Sequence, residues 1–118
     1  MSTLARAIHR ETLFAGEDVK EHRFVNVDAE YPANDGDASF GVTDYAAKED
    51  EAVAVVTDGT ATVEVAAAVS KGREVMSDDE GKAIHWTSGQ IAAGIALEAA
   101  AADGDKIRVK VFSRGETS

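Results

Sequence analysis

The side chains capable of chemistry are scattered along this sequence rather than grouped. His9, His22 and His85 stand far apart, and no HxH or HExxH spacing joins any of them to a second metal-binding residue. Imidazoles without partners read as surface or interface groups. Carboxylates sit beside glycine at Asp35-Gly36-Asp37, Asp78-Asp79-Glu80-Gly81 and Asp103-Gly104-Asp105, which invites a calcium reading. None has the ligand spacing of a calcium-binding loop, and turn formation accounts for the same residues, because aspartate and glycine tolerate the backbone angles that turns require. Ser39, Ser70, Ser77 and Ser88 lack a GxSxG context, and neither GxxxxGK[ST] nor GxGxxG occurs. Without cysteine, thiolate catalysis, disulfides and cysteine-rich zinc sites are excluded. The expectation is a protein with no catalytic residues, no cofactor and no metal: not an enzyme.

The elements must therefore position surfaces rather than a reaction centre. The 118 residues suit one domain. Alanine and valine supply most of the hydrophobic fraction and aromatics only 6%, so the core is thin and stability is expected to draw on assembly. The formal net charge of −10 argues against nucleic-acid binding, because phosphates are repelled and no basic stripe is expected to release counterions. An acidic, alanine- and valine-rich chain with few lysines also fits a salt-loving source. No apolar run approaches the length that spans a membrane, and MSTLARAIHRETLFAGEDVK holds no apolar stretch of signal-peptide length.

Residues 1–21 differ from the remainder. Leu4, Ile8, Leu13 and Phe14 are apolar among charged neighbours, and the helical spacing of Leu4 and Ile8 fades after a turn or two. The segment reads as an arm, mobile when free and ordered when docked; an edge strand or frayed terminus is the alternative. Residues 22–118 read as the folded domain. Period-two patterning begins at Phe24-Val25-Asn26-Val27. Ala52–Thr57 and Thr60–Ala66 follow, separated by Asp58-Gly59, a spacer that predicts a two-residue hairpin. Arg73–Met76 and Lys82–Trp86 are further strands, with Trp86 as core filler or interface anchor, core being expected. Lys106–Phe112 alternates cleanly, with Ile107, Val109 and Val111 inward and Lys106, Arg108 and Lys110 outward. Short strands with glycine-bearing turns predict an all-β fold, a small barrel or sandwich.

An internal echo adds detail. Gly41-Val42-Thr43 leads through an alanine-rich acidic connector to the strand around Val53–Val56. Gly94-Ile95-Ala96 leads through Glu98–Asp105 to Ile107–Val111 in the same manner. Two similar halves of a pseudo-symmetric barrel, or chance likeness in a low-complexity chain, both fit.

The stretch SFGVTDYAAKEDEAVAVVTDGTATVEVAAAVSKGREVMSDDEGKAI, followed by QIAAGIALEAAAADGDKIRVKVF, resembles the capsid cement, or head decoration, proteins of tailed viruses over about two-thirds of the chain. The sequence departs from that pattern at Ser70-Lys71-Gly72-Arg73, where arginine stands in place of the usual aspartate. The resemblance implies a β-barrel or β-tulip-like fold and binding to the outer surface of a bacteriophage or archaeal virus head. It further implies the major capsid protein as partner, a homotrimer at three-fold or quasi-three-fold positions, assembly after synthesis in the host cytoplasm, and no catalysis. Leu4, Ile8, Leu13 and Phe14 are then candidate capsid contacts. Two other readings are a soluble β-barrel module for a small ligand or glycan, and a lipoyl-type carrier domain with Lys106 as the modified residue. The carrier reading needs that lysine at a hairpin tip, whereas Lys106 opens a strand.

Overall fold

The computed structural model describes residues 9–112. These form eight strands and, among the described residues, no helix: β1 (His9–Phe14), β2 (Phe24–Val25), β3 (Gly41–Thr43), β4 (Ala52–Glu64), β5 (Glu74–Ser77), β6 (Ala83–His85), β7 (Gly94–Ala96) and β8 (Lys106–Val111). All paired strands are antiparallel. The sheet runs β2-β3-β4-β8-β7-β5-β6, with β1 also on β4, and curls into a nearly closed barrel. The all-β barrel expected from strand patterning is thus the fold. Leu4 and Ile8 lie outside the described residues. Residues 9–14 of the expected arm pair with β4, so the sheet begins upstream of residue 22.

The predicted hairpin at Asp58-Gly59 is not formed. β4 runs straight through it as one 13-residue strand. The reason lies in the partners available to each half. Residues 52–56 pair with β1 through Thr12–Ala54 and Leu13–Val53, and residues 59–64 pair with β8 through Thr62–Arg108 and Val63–Ile107. Folding back at residue 58 would give up both ladders for one short ribbon. Gly59 still has an unusual role, with φ at 109°. The register of β1 against β4 also shifts beside it, between His9 and Arg10, as at a bulge.

The duplicated pattern read from Gly41 and Gly94 extends well beyond those two glycines, although β6 has no counterpart between β2 and β3. From Arg10–Val56 to Phe14–Ala52 the β1–β4 ladder matches the β4–β8 ladder from Thr60–Lys110 to Glu64–Lys106; only the bulged pair His9–Asp58 departs from it. The bridge Val19–Ala47 is repeated as Val69–Ala100. The bond from Phe40 N–H to Val25 O recurs as Ala93 N–H to Val75 O. Asn26 Oδ1 accepts the N–H groups of Asp28 and Glu30, and Asp78 Oδ1 those of Glu80 and Lys82. A Cβ at Gly41 would collide with Val56 O, and one at Gly94 with Lys110 O. Among the described residues three non-glycines take positive φ, His22, Ala29 and Asp50, and their counterparts Gly72, Gly81 and Gly104 take it too.

The core follows the same plan. One cluster holds Ala15, Val19, Val25, Ala47, Val53 and Val55, with Leu13 and Phe40 packed against it. The other holds the matching Val65, Val69, Val75, Ala100, Ile107 and Val109, with Val63 and Ala93. The largest fully buried side chains are almost all valine, with Phe24 the one aromatic among them. Each such valine contributes roughly 1.5–3 kcal/mol on burial, so a core of this kind is adequate only because so many are enclosed together. Trp86, expected in the core, is instead half-buried, and its Nε1–H donates to Gln90 O at 2.8 Å.

Candidate docking surface

The named contact residues within the described chain are Leu13 and Phe14, at the C-terminal end of β1. Alternation sends them to opposite faces. Leu13 is half-buried against the first core cluster, whereas Phe14 is 70% exposed. Phe14 lies directly across from Ala52, and Thr12 across from Ala54. These four side chains share the face opposite Val53 and Val55, and are mostly small or uncharged. Tyr45 borders this area: its hydroxyl accepts the Ala54 N–H at 3.2 Å, leaving the side chain well exposed. Arg10 reaches from β1 to the loop after β3, where Nε donates to Asp44 Oδ2 at 2.6 Å. Both groups are partly in water, so the pair holds the surface in shape more than it stabilises the fold. Val27 is a further exposed apolar residue, in the turn capped by Asn26. Tyr45 and Val27 were not singled out from sequence; nothing in local spacing separates them from core residues.

On the other half the equivalent face differs. Lys106, Arg108 and Lys110 occupy the positions matching Ala52, Ala54 and Val56, and all three are exposed, as the alternation of β8 predicts.

The polar groups serve the scaffold. Arg23, only 6% exposed, joins the halves: Nη1 donates to Glu80 O at 2.9 Å and Nη2 to Glu64 Oε1 at 3.2 Å. Tyr31 lies under its guanidinium at 6.0 Å. Lys82 Nζ bonds Asp103 Oδ1 at 3.0 Å and lies 3.7 Å from Glu64. The bond to Asp103 raises the Lys82 pKa, against a smaller opposing effect of burial. Burial raises the Asp78 pKa despite the backbone bonds it accepts, with Asp79 and Asp35 adding to the rise. The acidic clusters act as turn formers: Asp37 Oδ2 accepts the Asn34 N–H and Asp105 Oδ2 the N–H groups of Ala101 and Ala102. His85 Nε2 accepts the Ser70 N–H, His9 bonds Glu11 and His22 lies near Glu21, so the structure brings no two histidines together. A depression of about 320 Å³ is lined by Asp18, Val19, Ala46, Ala47, Lys48 and Glu51. Its polar groups already bind the backbone: Asp18 Oδ1 accepts the Glu49 N–H, and Glu51 Oε1 that of Lys48.

Comparison with known proteins agrees with this picture of surfaces on a barrel. No curated protein matches the sequence. A solved structure of the base of the head fiber of bacteriophage phi29 (the gp8.5 N base) superposes with a TM-score of 0.69 at 16% identity, covering 95% of this chain and 99% of that one. At that identity the likeness establishes the shared fold. The model of the phage cement protein family matches residues 8–111, nearly the whole described chain. The chain belongs to the phage cement protein family, and is thereby a structural protein associated with the phage capsid.

Proposed function

We propose that this protein decorates the outer surface of a tailed-virus head, binding the major capsid protein and stabilising the shell without catalysis. The observation that carries the reading is β1. It pairs with β4 along one edge, its side chains are exposed except for Leu13, and it ends in the exposed Phe14. An edge strand of this kind can add to a strand of a shell protein through main-chain hydrogen bonds, with Phe14 seated in an apolar pocket of the partner. Leu4 and Ile8 extend the same contact, while Leu13 anchors the strand to the core. Clustering as a homotrimer at three-fold or quasi-three-fold positions multiplies modest contacts into high avidity.

The depth of the core sets where to cut in a test. Ala15 and Val19 are buried, so removing residues 1–20 would strip the barrel itself. Removal of residues 1–8 spares every described strand. That truncation combined with Phe14→Glu is expected to keep native circular dichroism and to lose co-sedimentation with cognate heads. Undiminished co-sedimentation would remove the arm and β1 from the interface.

A further inference from the structure

We infer that Lys106, Arg108 and Lys110 form a docking strip for the acid-rich half of a second copy of this chain. The strip is built rather than incidental. The three cations alternate with the buried Ile107, Val109 and Val111, so β8 cannot turn them away without exposing the core. They follow one another every second residue and span about 13 Å along the strand. Lys106 and Lys110 have no ion pair among the described residues, and Arg108 has only the long 3.7 Å approach of Glu98. Lysines often protect free sheet edges from unwanted pairing. That role does not apply, because β8 is an interior strand with β4 on one side and β7 on the other. Opposite the strip on β4 stand Thr60, Thr62 and Glu64, and Glu64 is already bound by Arg23 and Lys82. In the matching half the positions of Lys106, Arg108 and Lys110 are held by Ala52, Ala54 and Val56, so the repeat does not require cations there.

The occupant follows from charge. Residues 9–58 carry 13 acidic and 4 basic side chains, whereas residues 59–112 carry 8 and 6. The molecule is thus strongly polarised, and one copy's first half complements another copy's β8. A nucleic acid is disfavoured, because it brings only like charge to the 21 acidic side chains of the described residues, whereas a second copy carries both signs. Two close copies at physiological ionic strength see mainly local charge, because the screening length is about 8 Å. The contact joins unlike surfaces, so it is made twice across a two-fold dimer or repeated head to tail around a ring. It does not depend on shell binding, because free protein suffices to test it.

The test uses the full chain in equal parts unlabelled and ¹⁵N-labelled, treated with a zero-length carbodiimide and read by mass spectrometry. Cross-links between copies of different label, joining Lys106 or Lys110 to carboxylates within residues 9–58, are expected at low salt and reduced at least several-fold at 0.5 M salt. The triple variant K106E/R108E/K110E, checked for native circular dichroism, is expected to lose concentration-dependent sedimentation. Cross-links confined to single copies, or wild-type protein that sediments as a monomer at every concentration and salt, would overturn the proposal. So would nucleic acid competing away these cross-links at stoichiometric amounts.

Discussion

Asp78 shows how the two halves answer one local problem with different residues. Its carboxylate caps a turn by accepting two backbone N–H groups, and so does the amide oxygen of Asn26 in the other half. The amide does this without charge. Burial, helped by Asp79 and Asp35, holds the Asp78 pKa above its ordinary value, so the ionised form costs stability in the folded state. The native state therefore keeps the proton to higher pH than the unfolded chain does. Stability from this group falls as pH rises from the ordinary carboxylate pKa of 3.8 through the raised native value. Asp78→Asn keeps the acceptor and removes the charge. The variant is expected to melt at or slightly above the wild-type temperature at pH 7, with the gain shrinking as pH is lowered through that window. A lower melting temperature at pH 7 would mean that the charged hydrogen bonds outweigh desolvation.

At the scale of elements, the joint between the halves rests on Arg23. Its guanidinium reaches from the residue before β2 to Glu64 at the end of β4 and to the Glu80 carbonyl in the turn before β6. Loss of one member of a buried ion pair typically costs about 3–5 kcal/mol, because the other charge stays behind. Glu64 keeps Lys82, so Arg23→Ala is expected near the lower end, a cost of about 3 kcal/mol by denaturant unfolding. Glu64→Gln added to Arg23→Ala should cost clearly less than Glu64→Gln alone, since the double-mutant cycle then has no pair left to break. Equal costs would show that the two side chains act independently. Much of the element layout was legible in sequence. The alternation of Lys106–Phe112, the Asp-Gly turns and the glycine-led echo all report local preferences that the fold keeps. Asp58-Gly59 reads as a hairpin because its spacer is a local signal, while β4 is held straight by Thr12 and Arg108, far away on either side in sequence. The docking surface was legible only in part. Leu13 and Phe14 stand out as apolar residues among charges, but Tyr45, Val27 and the partnering of β1 arise only from chain crossings.

For the whole molecule, the two ladders on β4 fix where the chain enters and leaves. β8 runs antiparallel to β4 and reaches Gly59 at Val111. β1 also runs antiparallel to β4 and starts at Asp58 with His9. Along β4, the end of β8 therefore meets the beginning of β1, both pointing the same way. By the pseudo-two-fold that exchanges the halves, this meeting point is the counterpart of the Asp58–Gly59 bond: β4 is the pair of half-strands joined, and β8 with β1 is the same pair left open. The backbone connection at either place should then be interchangeable. A circular permutant that begins at Gly59, runs to Phe112, continues through a short glycine linker to His9 and ends at Asp58 keeps every pairing and divides only β4, at the Asp58–Gly59 bond. It only moves the break from one side of the ribbon to the other. Loop closure over so short a linker changes the chain entropy by roughly 1 kcal/mol or less, so stability should remain close to that of the parent with the same residues. The permutant is expected to unfold cooperatively, with a midpoint within a few degrees of the parent and the same far-ultraviolet spectrum. A molten or aggregated product would show that the continuous β4 organises the barrel in a way that the paired ends of β8 and β1 cannot replace.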